Sequence, residues 1–287
     1  MLFKTAIKML LGGGLATFSI AVSILYFNQN KLIYPSWANN SRKFVDLPSS
    51  FDLPFEEDIK LITEDGIQLQ AFDIRNPKSK STLLILTPNA GNIGHFLPLV
   101  KYLYDNFNLS IFIYSYRGYG LSQGTPNEAG LKLDADRIMK YLTQESDFHK
   151  NRKLVLYGRS IGGAVSIYIA SKYPQYIDGI ILENTFLSIR KVIPYIFPFL
   201  KYFTFLCHEV WNSEYEITKI NDKVPILFLN GIKDEIVPPS HSIKLFELCP
   251  SEKKYLKRFP LGHHNDTIVQ DGYWDHVYDF LVKFNLI

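Results

Sequence analysis

The residues that point most directly to chemistry are Gly158-Arg159-Ser160-Ile161-Gly162. A serine between two glycines at this spacing is the pattern of a nucleophile held on a sharp turn. The pattern recurs by chance, so its flanks decide its weight. Here KLVLY precedes it and IGGAVSIYIASKY follows it, which read as a strand and a helix. That is the context the turn requires. Side chains two residues before and after the serine would collide in so tight a bend, which accounts for Gly158 and Gly162. A neutral hydroxyl is a weak nucleophile, so a histidine must take its proton. In sites of this kind the chain order is serine, then Asp or Glu, then His. Asp234, in the run NGIKDE after an apolar strand, fits the acid, with Glu235 as its nearest rival. Asp266 lacks the position at a strand end. His263 and His264 fit the base, and spacing leaves both open. His241 and His276 fall on expected helices and read as solvated surface residues. The oxyanion needs two backbone N–H groups. Ile161 supplies one, and Asn89 is expected to supply the other because Pro88 has no N–H to give. The chemistry implied is acyl transfer to water through an acyl-enzyme, with no metal and no cofactor.

These side chains need a frame. The runs 82–87, 110–115, 153–158, 178–183 and 225–230 are short and continuously apolar, as strands buried on both faces are. A sixth strand is expected at 254–259. Helical stretches alternate with them near 94–106, 127–145, 161–173, 238–248 and 271–284. Strand–helix alternation predicts an α/β fold, a mostly parallel doubly wound sheet with helices on both faces. Two further strands, near 58–63 and 67–74, are joined through Glu64-Asp65-Gly66, a hairpin signal. Residues 185–215 break the rhythm. They are dense in aromatics, carry two prolines and are too long for a simple connection. We expect them to form a small cap inserted into a hydrolase domain spanning 58–287.

The front of the chain is different. Residues 9–27 carry no charge over nineteen positions. At ~1.5 Å per residue they nearly cross a hydrocarbon layer of ~30 Å. We expect residues 1–30 to be a single-pass membrane anchor and 31–57 a connector. A cleaved signal peptide would need a shorter apolar run and a small-residue cleavage site. A mitochondrial presequence would carry arginine, which is absent before Arg42. Lys4 and Lys8 favour a cytoplasmic tail with the main domain on the far side, in the endoplasmic reticulum or secretory pathway, with the mitochondrion as the alternative. Asn39 and Asn108 lie in N-x-S sequons, which fits a lumenal domain. The net charge of +3 gives no concentrated basic face for nucleic acid. Two cysteines, Cys207 and Cys249, are too few for a disulfide framework or a four-cysteine zinc site.

Six stretches look familiar together: PNAGNIGH at 88–95, YRGYGLSQGTPNEAGLKLDA at 116–135, GRSIGGAV at 158–165, ENTFLSI at 183–189, GIKDEIVPP at 231–239 and HNDT at 264–267. The chain resembles the Bem-type (bud-emergence) branch of membrane-anchored α/β-hydrolase-domain proteins. The resemblance implies the α/β-hydrolase fold and a triad of Ser160, Asp234 and His264, the last being the histidine of the HND motif. It also implies esterase- or thioesterase-like activity, in some relatives on lipid or acyl-protein substrates. One departure concerns the oxyanion loop, which in relatives usually begins His-Gly and here begins Thr87-Pro88. Tyr116, Arg117, Gly118 and Gly120 are expected to shape the loop beside the site rather than react. Two other readings compete: a membrane-tethered interaction protein with a vestigial site, and a serine peptidase.

Overall fold

Runs of Leu, Ile and Val between glycine- and proline-rich turns build a parallel sheet sandwiched by helices. The computed structural model describes residue 20, residues 22–56 and residues 59–287. Helix α1 covers residues 22–33 of these. A two-stranded hairpin, β1 (Leu61–Ile62) and β2 (Gln68–Leu69), turns through Gly66. The main sheet has seven strands: β3 (Ala71–Ile74), β4 (Ser81–Leu86), β5 (Ser110–Tyr114), β6 (Lys153–Arg159), β7 (Gly179–Glu183), β8 (Ile226–Gly231) and β9 (Lys254–Phe259). Their spatial order is β3-β5-β4-β6-β7-β8-β9. Only the β3–β5 pair is antiparallel. The chain adopts the mostly parallel, doubly wound sheet expected from the strand–helix alternation, in the α/β-hydrolase fold that the resemblance implies.

Strand alternation divides the core. Leu84, Leu86, Leu154, Leu156, Ile180 and Phe228 face one side of the sheet. Leu83, Ile85, Val155, Tyr157, Ile181 and Leu227 face the other. The first face is covered by α3 (Glu128–Lys140), α4 (Ile161–Lys172) and α7 (Pro239–Leu248) through Leu131, Ile138, Ile167 and Leu245. The second is covered by α2 (Leu97–Phe107) and α8 (Tyr273–Lys283) through Leu97, Val100, Leu103 and Leu281. Because both faces are buried, the central strands show no polar alternation. α3 ends at Lys140, five residues before its predicted limit, and continues as one π-helical turn, Tyr141–Glu145.

Residues 185–215 hold α5 (Ile189–Ile196), two 3₁₀ turns and the start of α6 (Ser213–Glu216). The stretch expected as a connector is packed against the domain, with Tyr34, Val45 and Leu53 buried. Tyr34 donates to Glu209 at 2.5 Å and accepts from the Trp211 indole at 2.7 Å. These bonds fasten the end of α1 to residues 185–215. Among the described residues no helix is long and apolar enough to cross a membrane. Most of the uncharged run 9–27 expected to do so lies outside the described residues.

Candidate active site

The elbow is built as the glycine spacing requires. Ser160 sits between β6 and α4 at φ 55° and ψ −119°, a backbone region that non-glycine residues rarely occupy. Its N–H donates to the Glu183 carbonyl at 2.9 Å, and its carbonyl accepts from the Thr185 hydroxyl at 2.8 Å. Those bonds to the end of β7 hold the strained turn. A Cβ on Gly158 would come within 2.2 Å of the Ser166 Oγ, and one on Gly162 within 1.9 Å of the Leu86 carbonyl oxygen. Glycine is therefore a steric necessity at both positions.

Three side chains from three strand ends meet here. Ser160 follows β6, Asp234 follows β8 and His264 follows β9. His264 Nε2 lies 3.1 Å from Ser160 Oγ, and Nδ1 lies 2.8 Å from Asp234 Oδ2. The other Asp234 oxygen accepts from the N–H groups of Ile236 and Val237, at 2.9 and 2.7 Å. Asp234 is thus a carboxylate with both oxygens occupied, and its side chain is fully buried. All three residues stand at the carboxyl edge of a parallel sheet, where folds of this class bind ligands. Such a chain can pass a proton from hydroxyl to imidazole while the carboxylate holds the ring's tautomer.

The rivals are elsewhere. The His263 side chain is half exposed and lies 3.3 Å from Glu235, itself on the surface. Asp266 accepts from the His263 N–H, and among the described residues no hydrogen bond joins it to an imidazole ring. Asn89 lies in the loop after β4. Its carbonyl accepts from the Tyr119 hydroxyl at 2.8 Å, and its side chain donates to the Ile33 carbonyl at 2.8 Å. Among the described residues, no hydrogen bond takes up the N–H of Asn89 or that of Ile161. The Tyr116 hydroxyl donates to the Thr87 carbonyl at 3.0 Å. Arg117 is held by Asp134 and Asp65, at 2.8 and 2.7 Å. Burial pushes the Asp134 carboxyl up to about 6 even beside this guanidinium.

Several supporting residues carry no motif of their own. Arg159 donates to the His264 carbonyl at 3.1 Å and to the Asn265 side chain at 3.0 Å. Asn184 donates to the His264 carbonyl at 3.2 Å and to Thr267 Oγ1 at 2.9 Å, and accepts from the Gly231 N–H at 2.9 Å. It ties the base-bearing loop to the strand that carries the acid. Buried Glu183 accepts from Tyr157 and Tyr273, at 2.7 and 2.8 Å, and lies 3.5 Å from Arg159. The stretch ENTFLSI was the one sequence signal covering Glu183 and Asn184.

His241 corrects an expectation. It is buried rather than solvated, and its Nδ1 accepts weakly from the Leu187 N–H at 3.5 Å. Burial first, and then Lys191, lower its pKa from 6.5 to about 4, while Glu214 and Asp234 oppose the shift. The unfolded chain takes up this proton near 6.5 and the folded chain does not, so stability falls as pH drops from 6.5 toward 4. Thermal unfolding of the wild type and His241→Gln at several pH values across that window checks this. The Tm advantage of the wild type is expected to shrink as pH falls, and a constant difference would contradict it. Cys207 and Cys249 are both free and buried.

A family model described as serine aminopeptidase, S33 matches residues 77–215. A Saccharomyces cerevisiae chain named an uncharacterized membrane protein is 58% identical over 287 residues, covering 100% of both chains. Protein bem46 of Schizosaccharomyces pombe is 44% identical, covering 94% of this chain and 91% of its own. Among solved structures, a Pyrococcus furiosus esterase superposes with a TM-score of 0.70 at 20% identity, over 85% of this chain and 96% of that one. At that identity the likeness is one of fold.

Proposed function

The chain belongs to the bem46-type branch of the α/β-hydrolase family, and from that premise we propose that it is a serine hydrolase cleaving carboxylic esters or thioesters. The observation that carries this reading is the unbroken chain from Ser160 Oγ through His264 to Asp234. His264 Nε2 takes the hydroxyl proton as Ser160 attacks the acyl carbon. The oxyanion forms against the N–H groups of Ile161 and Asn89. Charge develops there beside the N-terminus of α4, whose dipole favours it. The imidazolium then protonates the leaving group, and an acyl-enzyme remains. Water, deprotonated by the same imidazole, releases the acid and restores Ser160. Asp234 keeps Nδ1 protonated and stabilises the charged ring.

We further assign residues 1–30 as a single-pass anchor and 185–215 as a cap on the 58–287 hydrolase domain. The uncharged run 9–27 supports the anchor, as does the printed name of the Saccharomyces cerevisiae relative. The lysines ahead of that run support a cytoplasmic tail with the main domain on the far side, in the endoplasmic reticulum or secretory pathway, with the mitochondrion as the alternative. An anchored enzyme with an aromatic cap suits a lipid or lipidated-protein substrate.

A fluorophosphonate probe on the full chain tests the reaction class. The wild type should be labelled and Ser160→Ala should not. Competing esters and thioesters should block labelling, whereas selective block by aminoacyl arylamides would point instead to the peptidase described for the matching family model. An unlabelled wild type would leave an interaction protein with a silent site.

A further inference from the structure

An open groove runs between α1 and residues 193–207. Leu25, Leu32 and Ile33 form one wall; Ile193, Phe197 and Leu206 are on the other. Three polar side chains line it, Tyr26, Gln29 and Cys207, and the last two are already occupied. Gln29 accepts from the His208 N–H at 2.9 Å and donates to the carbonyls of Tyr26 and Leu206. The Cys207 thiol donates to the Glu209 carbonyl at 3.2 Å. A ligand in this groove meets mostly hydrocarbon, with the Tyr26 hydroxyl as its remaining polar neighbour.

Both walls are tied to the catalytic loops. The carbonyl of Ile33 accepts from Asn89, next to the proposed oxyanion donor. Helix α5, which carries Ile193, also carries Tyr195, whose hydroxyl lies 3.4 Å from the Asp234 carbonyl. The walls of the groove are thereby hydrogen-bonded to the loops that carry Asn89 and Asp234. At its outer end Phe197, Phe199, Tyr202 and Phe205 are exposed, as are Ile24 and Phe27 of α1. Such a patch marks contact with an apolar partner. α1 also continues the uncharged run 9–27, which leads toward the proposed bilayer.

We infer that this groove binds the long alkyl chain of the substrate's acyl group, entering from the lipid side. The inference rests on the hydrolase reading for its catalytic consequence and deepens it, since it selects long-chain acyl esters or thioesters over short ones. Binding itself does not depend on turnover, so the two can be tested apart.

Full-length Ser160→Ala protein in lipid vesicles is irradiated with a diazirine-bearing hexadecanoic acid, and the crosslinks are mapped by mass spectrometry. Crosslinks are expected within 22–33 and 193–207, reduced at least about fivefold by adding Ile193→Trp or Leu25→Trp. Leu25 is partly exposed on α1, so its replacement leaves the core untouched. In the active protein, each tryptophan should lower the ratio of kcat/KM for p-nitrophenyl hexadecanoate over butanoate at least about tenfold, mainly through KM. Crosslinks elsewhere, or a ratio unmoved by either variant, would overturn the groove assignment. Groove crosslinks without hydrolysis of any ester would keep the assignment and remove the hydrolase reading. Hydrolysis with an unmoved ratio would do the reverse.

Discussion

Ser160→Ala, His264→Ala and the double variant are expected to fall to one common floor, about 10⁴–10⁶ below wild-type kcat/KM. The reason is the single proton path. In the proposed mechanism Ser160 Oγ has His264 Nε2, 3.1 Å away, as its base, and either end of that bond is useless alone. Costs that simply multiplied in the double variant would show that the two act separately. Asp234→Asn should fall almost as far, by about 10⁴. Its partners dictate the outcome. Asp234 Oδ1 receives two N–H bonds, from Ile236 and Val237, so the asparagine carbonyl must take that place. The amide NH₂ is then left facing His264 Nδ1, which must accept rather than donate. That forces the proton onto Nε2, where the serine needs an acceptor. Single-turnover kinetics with an activated ester, on variants matched for Tm, measures all four.

The frame of this site was readable because buried parallel strands leave a strong mark. β4, β5, β6, β7 and β8 each carry a continuous apolar stretch, and their predicted limits fall within about two residues of the observed ones. The elbow was readable because its sterics demand glycine at fixed offsets. Spacing could not separate His263 from His264. They are adjacent, and what distinguishes them is a ring buried against Asp234 as opposed to one half in solvent. The resemblance had favoured His264, and its ring is the one placed between Ser160 and Asp234.

Long-range pairing left no local signal. Arg159 filled an unrestricted position in the motif, yet it holds the backbone of His264, far along the chain. Asn184 works in the same way across β7, β8 and the base-bearing loop. Tyr34 lies in the stretch expected as a connector. Its hydroxyl instead ends in a buried network with Glu209 and Trp211, which is what places α1 against residues 193–207. His241 misled because it lies on a helix of mixed polarity, whose inward face depends on packing that one sequence does not display.

Gly162→Ala should be the most damaging glycine-to-alanine change among the described residues. A Cβ there would meet the Leu86 carbonyl oxygen at 1.9 Å, its carbon at 2.5 Å and the Thr87 oxygen at 2.7 Å. All three are backbone atoms at the end of β4, so no rotamer change relieves them. Either α4 lifts from the sheet or the loop after β4 moves, and both choices separate Ile161 from Asn89. The expected loss is at least about 4 kcal/mol of stability, in the range reserved for severe core defects. Any folded fraction should be slowed by a further ~10²-fold, the cost of misplacing catalytic groups by about 1 Å. Gly272→Ala is the contrast. Gly272 has φ +75° but nothing within 4 Å of an added Cβ, so only the left-handed penalty of about 1–2 kcal/mol applies. Urea unfolding midpoints for the two variants separate steric from conformational cost. A Gly162→Ala midpoint no lower than that of Gly272→Ala would mean that α4 does not press on β4 as closely as the elbow requires, and the alignment of the two N–H groups would lose its physical basis.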